Sequence, residues 1–423
     1  MDYMPRIVDD ELARRLARTG AVYVRGPKWC GKTSTCEQVA ASVLRMRDPD
    51  SYASNMEAAA IRPSLLLRGE RPRLVDEWQV APVLWDAVIG EVDRAGGAPG
   101  QFLLTGSATP GDGGDDERKH TGTGRIARLS MDPMTLSESG ESTGEVSLRG
   151  LFGGEPEVEG ASGLTVERYA ELICCGGWPA PIARGALDAG VAGDYLDALC
   201  ESDISEAAQS SLDPDRARAL LRSLARSTAQ EASLRTILSD VRDVGVGMSE
   251  PTLRVYLAAL RRLFVVEDVR AWAPTLRSRT PLRSSPVWHL CDPSLEAAAL
   301  EADADALLSD LTTMGYLFES LCVRDLRVYA RSMGGGVYHY RDKSGLEVDA
   351  VVRLASGAWG AVEIKLGGER RIEEGAANVL ALAAKVDREH TPAPSFCMVL
   401  TGGRYAYTRP DGVHVVPVGC LRA

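Results

Sequence analysis

Residues 26–33 read Gly26-Pro27-Lys28-Trp29-Cys30-Gly31-Lys32-Thr33, two glycines separated by four residues and followed at once by lysine and a hydroxyl. Glycines at that spacing let the backbone curl until its N–H groups wrap a phosphate, a turn that side chains would obstruct. Lys32 is then placed to reach β- and γ-phosphates, and Thr33 to offer its hydroxyl to Mg2+. The apolar run Ala21-Val22-Tyr23-Val24 before it reads as a buried strand, and Ser34 to Arg47 after it as a helix. A helix starting there turns its positive end toward the anion, so all of residues 26–34 are expected to line a nucleotide site.

Working outward, Arg73-Leu74-Val75-Asp76-Glu77 is an apolar strand ending in two acids. Asp76 is expected to hold Mg2+ through water, and Glu77 to polarise the attacking water. Phe102-Leu103-Leu104-Thr105 is another short strand; it ends in Thr105-Gly106-Ser107, polar residues placed to sense a γ-phosphate. Strands alternating with helices predict a parallel sheet covered on both faces, the α/β plan of a P-loop NTPase.

The 423 residues allow two to three domains, and 45% hydrophobic with 25% charged residues excludes a disordered or fibrous chain. No apolar run is long enough to span a membrane, the N-terminus is acidic, and the nine cysteines include no C-x-x-C pair. A soluble cytoplasmic protein is the expectation. The divisions read as an ATPase domain (1–136), a flexible linker rich in Gly, Ser and Glu (137–163), a helical and winged-helix region (164–292) and an α/β domain (293–423). Residues 111–124, which include Asp115 and Asp116, read as a mobile loop. The five histidines show no metal-ligand spacing.

Near the far end, Glu347-Val348-Asp349 and Glu363-Ile364-Lys365 lie on two strand-like runs joined through Ala355-Ser356-Gly357. A hairpin centred on Ser356 makes Asp349 and Glu363 direct neighbours, about 5 Å apart at Cβ, with Lys365 on the same face. Two carboxylates and a lysine meeting there suit a Mg2+ that activates water against a phosphodiester.

The net charge of −11 argues against a wholly basic nucleic-acid coat, yet residues 251–290 carry seven arginines against Glu267 and Asp268. Arg254, Arg261 and Arg262 recur at helical spacing, followed by Arg270, Arg277, Arg279 and Arg283, with Tyr256, Trp272 and Trp288 interleaved. Three helices and then a hairpin is the plan of a winged helix, whose third helix and hairpin face DNA.

The stretches RGPKWCGKTS, RLVDEWQ, FLLTGSA and GRIARLSMDPMTLSE resemble the P-loop core of AAA-type ATP-binding proteins of bacteria and archaea. Those proteins carry a C-terminal half long labelled a domain of unknown function, which CGGWPAP, YLDALCESDI, TLRVYLAALRRLFVVEDVRAW and GYLFESL also resemble. The resemblance implies ATP and Mg2+, a sensor at Thr105 or Ser107, and contact of Arg125 with the nucleotide or a neighbouring subunit. Residues 347–365 resemble the PD-(D/E)xK nuclease core, with Val348 where the family has proline; this implies Glu319 on the preceding helix as a further metal-binding acid. The reading is an ATP-hydrolysing enzyme acting on DNA. Its rival is an ATP/ADP-controlled switch that binds a protein partner and carries an inert nuclease-like domain. Nothing in the sequence fixes an oligomeric state.

Overall fold

In the first part of the chain, one parallel sheet is built around apolar central strands buried on both faces, with partly exposed strands at its edges. The computed structural model describes residues 3–108, 121–275 and 285–423. Its first elements are α1 (Val8–Leu16), β1 (Ala21–Arg25), α2 (Lys32–Glu37), β2 (Ser42–Arg45), α3 (Tyr52–Ile61), β3 (Arg73–Asp76), α4 (Val83–Arg94), β4 (Phe102–Gly106) and β5 (Ile126–Ser130). The five strands run parallel in the order β2-β3-β4-β1-β5. Alternation divides their side chains: Ala21, Tyr23, Phe102 and Leu104 pack with Trp85 and Val88 of α4, while Val22, Val24 and Leu103 pack with Leu12 of α1 and Cys36 of α2. The long helix expected over Ser34–Arg47 is instead the short α2 followed by β2. Val43 and Leu44 pair with Leu74 and Val75 of β3, and that ladder outweighs helix propensity.

Residues 137–163 are not a free linker. They form β6 (Val146–Ser147), α5 (Leu148–Phe152) and β7 (Gly160–Ala161). Ser147 caps α5 by accepting from the Gly150 amide, and Val146, Leu148, Leu151 and Val158 fill the core of the C-terminal unit. The glycines and glutamates suggested flexibility; the spaced apolar residues decide the outcome.

The helical region holds α6 (Val166–Cys175), α7 (Pro179–Ala183), α8 (Gly190–Ala198), a π-helical segment (Leu199–Asp203), α9 (Ile204–Ala208), α10 (Pro214–Arg226), α11 (Leu234–Asp243) and α12 (Glu250–Arg262). An antiparallel pair follows, β8 (Val266–Val269) and β9 (Val287–Leu290), and then α13 (Pro293–Ala299) and α14 (Ala304–Ser309). Three helices and a hairpin thus occur in the expected order. The interleaved aromatics do not serve as a stacking face, however: Tyr256, Trp272 and Trp288 are all buried in cores.

The C-terminal unit contains α15 (Leu311–Ser332), β10 (Gly335–Arg341), β11 (Glu347–Leu354), β12 (Trp359–Lys365), α16 (Glu369–Lys385), β13 (Phe396–Thr401), β14 (Tyr405–Thr408), β15 (His414–Pro417) and β16 (Leu421–Arg422). Its sheet order is β10-β11-β12-β13-β15-β14-β7, and β16 pairs with β6. In the β11–β12 hairpin Ala350 faces Val362 and Arg353 faces Trp359, the register that a turn centred on Ser356 predicts. Gly357 sits at φ 92°, open only to glycine without strain.

Residues 111–120 of the expected loop, with Asp115 and Asp116, and the arginines Arg277, Arg279 and Arg283 lie outside the described residues. Among the described residues no helix is long and apolar enough to cross a membrane.

Candidate functional site

Parallel strands bring their C-terminal ends to one edge of the sheet, and there β1, β3 and β4 deliver the sequence-predicted residues together. A Cβ on Gly26 would meet the Met131 carbonyl oxygen at 2.0 Å, so only glycine fits. Gly31, at φ 99°, opens α2 from a left-handed conformation. Thr33 Oγ1 donates to Asp76 Oδ1 at 2.7 Å, and Thr105 Oγ1 donates to the same oxygen at 2.5 Å. The Glu77 amide donates to Thr105 Oγ1, and the Glu77 carboxylate accepts from Ser107 Oγ at 3.2 Å and from Gln79 Nε2. Glu77 itself sits at φ 56°, a left-handed conformation of the kind held by surrounding contacts at functional sites.

Lys32 differs from an exposed cradle lysine. It is 6% exposed, and its Nζ donates to the carbonyls of Gly26 (3.1 Å) and Pro27 (2.7 Å). The ammonium thereby braces the loop it belongs to. Cys30 is buried, Ser34 is exposed and Trp29 is 58% exposed at φ 62°. Lys28 Nζ reaches out of the loop to Asp203.

Arg125 does not lie at this edge. Its side chain pairs with Asp93 at 2.9 Å, and its carbonyl accepts from the Ala21 amide, at the opposite end of β1 from the loop. Contact with a nucleotide in its own chain is excluded by that placement.

Sequence reasoning missed Arg6. Buried beside the loop, it donates to the Cys30 carbonyl (2.8 Å) and the Asp132 carbonyl (2.9 Å), and pairs with Glu138 at 3.0 Å. Asp132 in turn holds Arg327 and Arg331 of α15. No spacing rule points to Arg6, because its partners are 24 to 132 residues away.

In the C-terminal unit, Lys365 Nζ lies 2.9 Å from Asp349 and 2.5 Å from Glu363. The Ile364 amide donates to Asp349, and Asn378 Nδ2 donates to Glu363 Oε1. Burial first, and then the Asp349 charge, push the Glu363 carboxyl above the usual carboxylate range. The same two causes, in the same order, push Glu319 well above the usual carboxylate range. Burial opposes the Lys365 charge, but Asp349 and Glu363 outweigh it and raise the ammonium above its ordinary value. The four groups expected here are therefore neighbours, with the lysine supplying the positive charge. Glu319, Asp349 and Glu363 offer hard oxygen donors but do not converge on one point. Among the described residues the one triad of ligand atoms within 4.8 Å of one another is Asp387, Glu389 and His390, on an exposed turn.

The arginines of the middle region are partly committed. Arg254 pairs with Glu250 and Arg261 with Asp268, each at 2.7 Å, and Arg262 donates to the Ala207 carbonyl. A face bonded in this way holds less free positive charge than the residue count implies.

Residues 18–140 match a family model described as an AAA domain. Residues 166–306 and 314–421 match two domains of unknown function, DUF8612 and DUF4143. No curated protein matches the sequence. Among solved structures, the Walker-type ATPase of Pyrococcus abyssi is similar over 70% of this chain and 96% of its own, at 13% identity and a TM-score of 0.40.

Proposed function

We propose, proceeding from the AAA-type P-loop domain of residues 18–140, that the chain binds ATP with Mg2+, hydrolyses it to ADP and phosphate, and acts on DNA through its later units. One observation carries the ATPase reading: Thr33, Asp76 and Thr105 form a single hydrogen-bonded group with Glu77 beside it. A threonine hydroxyl and a carboxylate are the hard oxygen donors that Mg2+ takes, so Thr33 and Asp76 fit it. Bound there, the ion would neutralise charge between the β- and γ-phosphates.

The remaining work falls to the chain. Amides of the Gly26–Lys32 loop bind phosphate oxygens, and Lys32 exchanges the Gly26 and Pro27 carbonyls for the same oxygens. Glu77 takes a proton from the attacking water, with Ser107 and Gln79 fixing the direction of its carboxylate. Thr105 keeps Asp76 aimed at Thr33.

For the C-terminal unit, the succession α15-β10-β11-β12-α16-β13 and the neighbouring Glu319, Asp349, Glu363 and Lys365 support a PD-(D/E)xK-like nuclease domain. The succession of three helices and a hairpin at residues 214–290 supports a winged helix that contacts DNA. The test is hydrolysis and cleavage by the full chain with Mg2+, with and without single-stranded, duplex and branched DNA. DNA-stimulated hydrolysis that is lost in Glu77→Gln, with cleavage lost in Asp349→Ala, supports the reading. Slow, DNA-independent turnover without cleavage overturns its DNA part.

The second reading is an ATP/ADP-controlled switch binding a protein partner. Two observations favour it: Lys365 already forms ion pairs with both carboxylates, and the described arginines of α12 are bonded within the chain.

A further inference from the structure

Across the mouth of the nucleotide loop, two acids from the helical region face two basic residues of the first unit. Asp203 closes the π-helical segment, and Glu206 lies three residues on in α9. Lys28 Nζ, in the loop, bonds Asp203 Oδ1 at 2.7 Å, with the side chains only 35% and 11% exposed. Arg47, just past β2, bonds Glu206 at 2.6 Å and lies 3.9 Å from Glu77. Next to Lys28 in the loop, Trp29 sets its ring edge-on to Tyr195 of α8 at 6.0 Å. A single π segment inside a helical run re-aims the side chains that follow it, and such segments gather at functional sites.

We infer that Lys28 reads the terminal phosphate of a nucleoside triphosphate, with Asp203 and Glu206 as competitors that hold Lys28 and Arg47 until that phosphate displaces them. The inference rests on the nucleotide-site reading above and adds how the site tells triphosphate from diphosphate. Lys28 is part of the loop that wraps the phosphates, so changing partners requires rotation of its side chain alone. An ammonium is a compact charge with three donors and no fixed fork, suited to exchanging one anion for another. A γ-phosphate brings more negative charge than one carboxylate. A diphosphate has no such group, and leaves the Asp203 pair standing. Triphosphate binding therefore loosens the helical run 195–206 from the loop, whereas diphosphate binding does not.

The experiment measures ATPγS and ADP binding to the full chain by calorimetry with Mg2+. Asp203→Asn is expected to tighten ATPγS about fivefold, the order of worth of a partly shielded ion pair, and to leave ADP within about twofold. Lys28→Ala is expected to lose most of the preference for ATPγS, and Asp203→Asn added to it should change neither affinity. Should Asp203→Asn not fold, Glu206→Gln, at a side chain 59% exposed, is expected to shift the ratio the same way by about twofold. Lys32→Ala separates the two readings. If the wild type binds neither nucleotide, or Lys32→Ala binds both as well as wild type, the nucleotide site and this inference fall together. If Lys32→Ala loses both nucleotides but the carboxylate variants leave the ratio unmoved, or tighten ADP equally, this inference alone is overturned.

Discussion

Glu296, on α13, is fully buried; its Oε1 accepts from the Leu290 amide (2.8 Å) and Ser320 Oγ (2.9 Å), and the Thr228 hydroxyl lies beside the same carboxyl. Burial, the largest cause, lifts this carboxyl from 4.5 to about 8. A carboxyl raised by folding contributes stability that is fully present below its unfolded pKa and is lost as pH rises through the folded one. The window is therefore pH 4.5 to 8. Within it the slope is about 1.4 kcal/mol per pH unit. Glu296→Gln keeps the Oε1 acceptor and replaces the titrating oxygen with an amide nitrogen. Relative to wild type the variant should be nearly neutral at pH 5 and gain about 3–4 kcal/mol by pH 8. Urea unfolding at pH 5, 6, 7 and 8, read from the transition that melts the helical region, measures this directly. Other titrating groups, Glu363 among them, cancel in the difference between the two proteins. A stability difference that does not change with pH would falsify the assignment of a neutral buried carboxyl.

Two further outcomes concern the nucleotide loop and α5. ATP with Mg2+ at a hundred times its Kd should stabilise the first unit by about 2.7 kcal/mol. Lys32→Ala should abolish that gain in a thermal melt and also lower the ligand-free stability by about 1–3 kcal/mol, because two loop carbonyls lose their buried donor. Leu151→Ala, inside α5, should cost about 2–5 kcal/mol in the C-terminal unit, since Leu151 is fully buried there; a loss below about 0.5 kcal/mol would return residues 137–163 to the status of a tether.

The nucleotide loop and the β11–β12 hairpin were legible in the sequence because their backbones restrict residue type. Gly31 at φ 99° and Gly357 at φ 92° stand where other residues are strained, and a turn at a known residue sets the pairing of everything after it. The convergence of Thr33, Asp76 and Thr105 followed from parallel strands ending at one edge. What stayed hidden depends on contacts between residues distant in sequence. The folding back of Lys32, the seat of Arg6 against Cys30 and the partners of Arg254 and Arg261 belong to packing, which no local pattern encodes. Tyr256, Trp272 and Trp288 show the limit well: beside arginines they read as a binding face, and only the surrounding helices and strands make them core.

The strap formed by β6, α5 and β7 constrains how the molecule is assembled. β6 pairs with β16, β7 with β14, and Ser147 Oγ donates to the Ala423 carbonyl across a separation of 276 residues. During synthesis the first sheet has all five strands once residue 130 has emerged, and at about 5–20 residues per second it then waits tens of seconds for the strap's partners. Throughout that interval Leu148 and Leu151 lack the C-terminal part of the core they pack against, which includes Leu400, Val416 and Leu421. A break in the chain between the strap and residue 405 would leave the N-terminal fragment with that apolar surface still exposed.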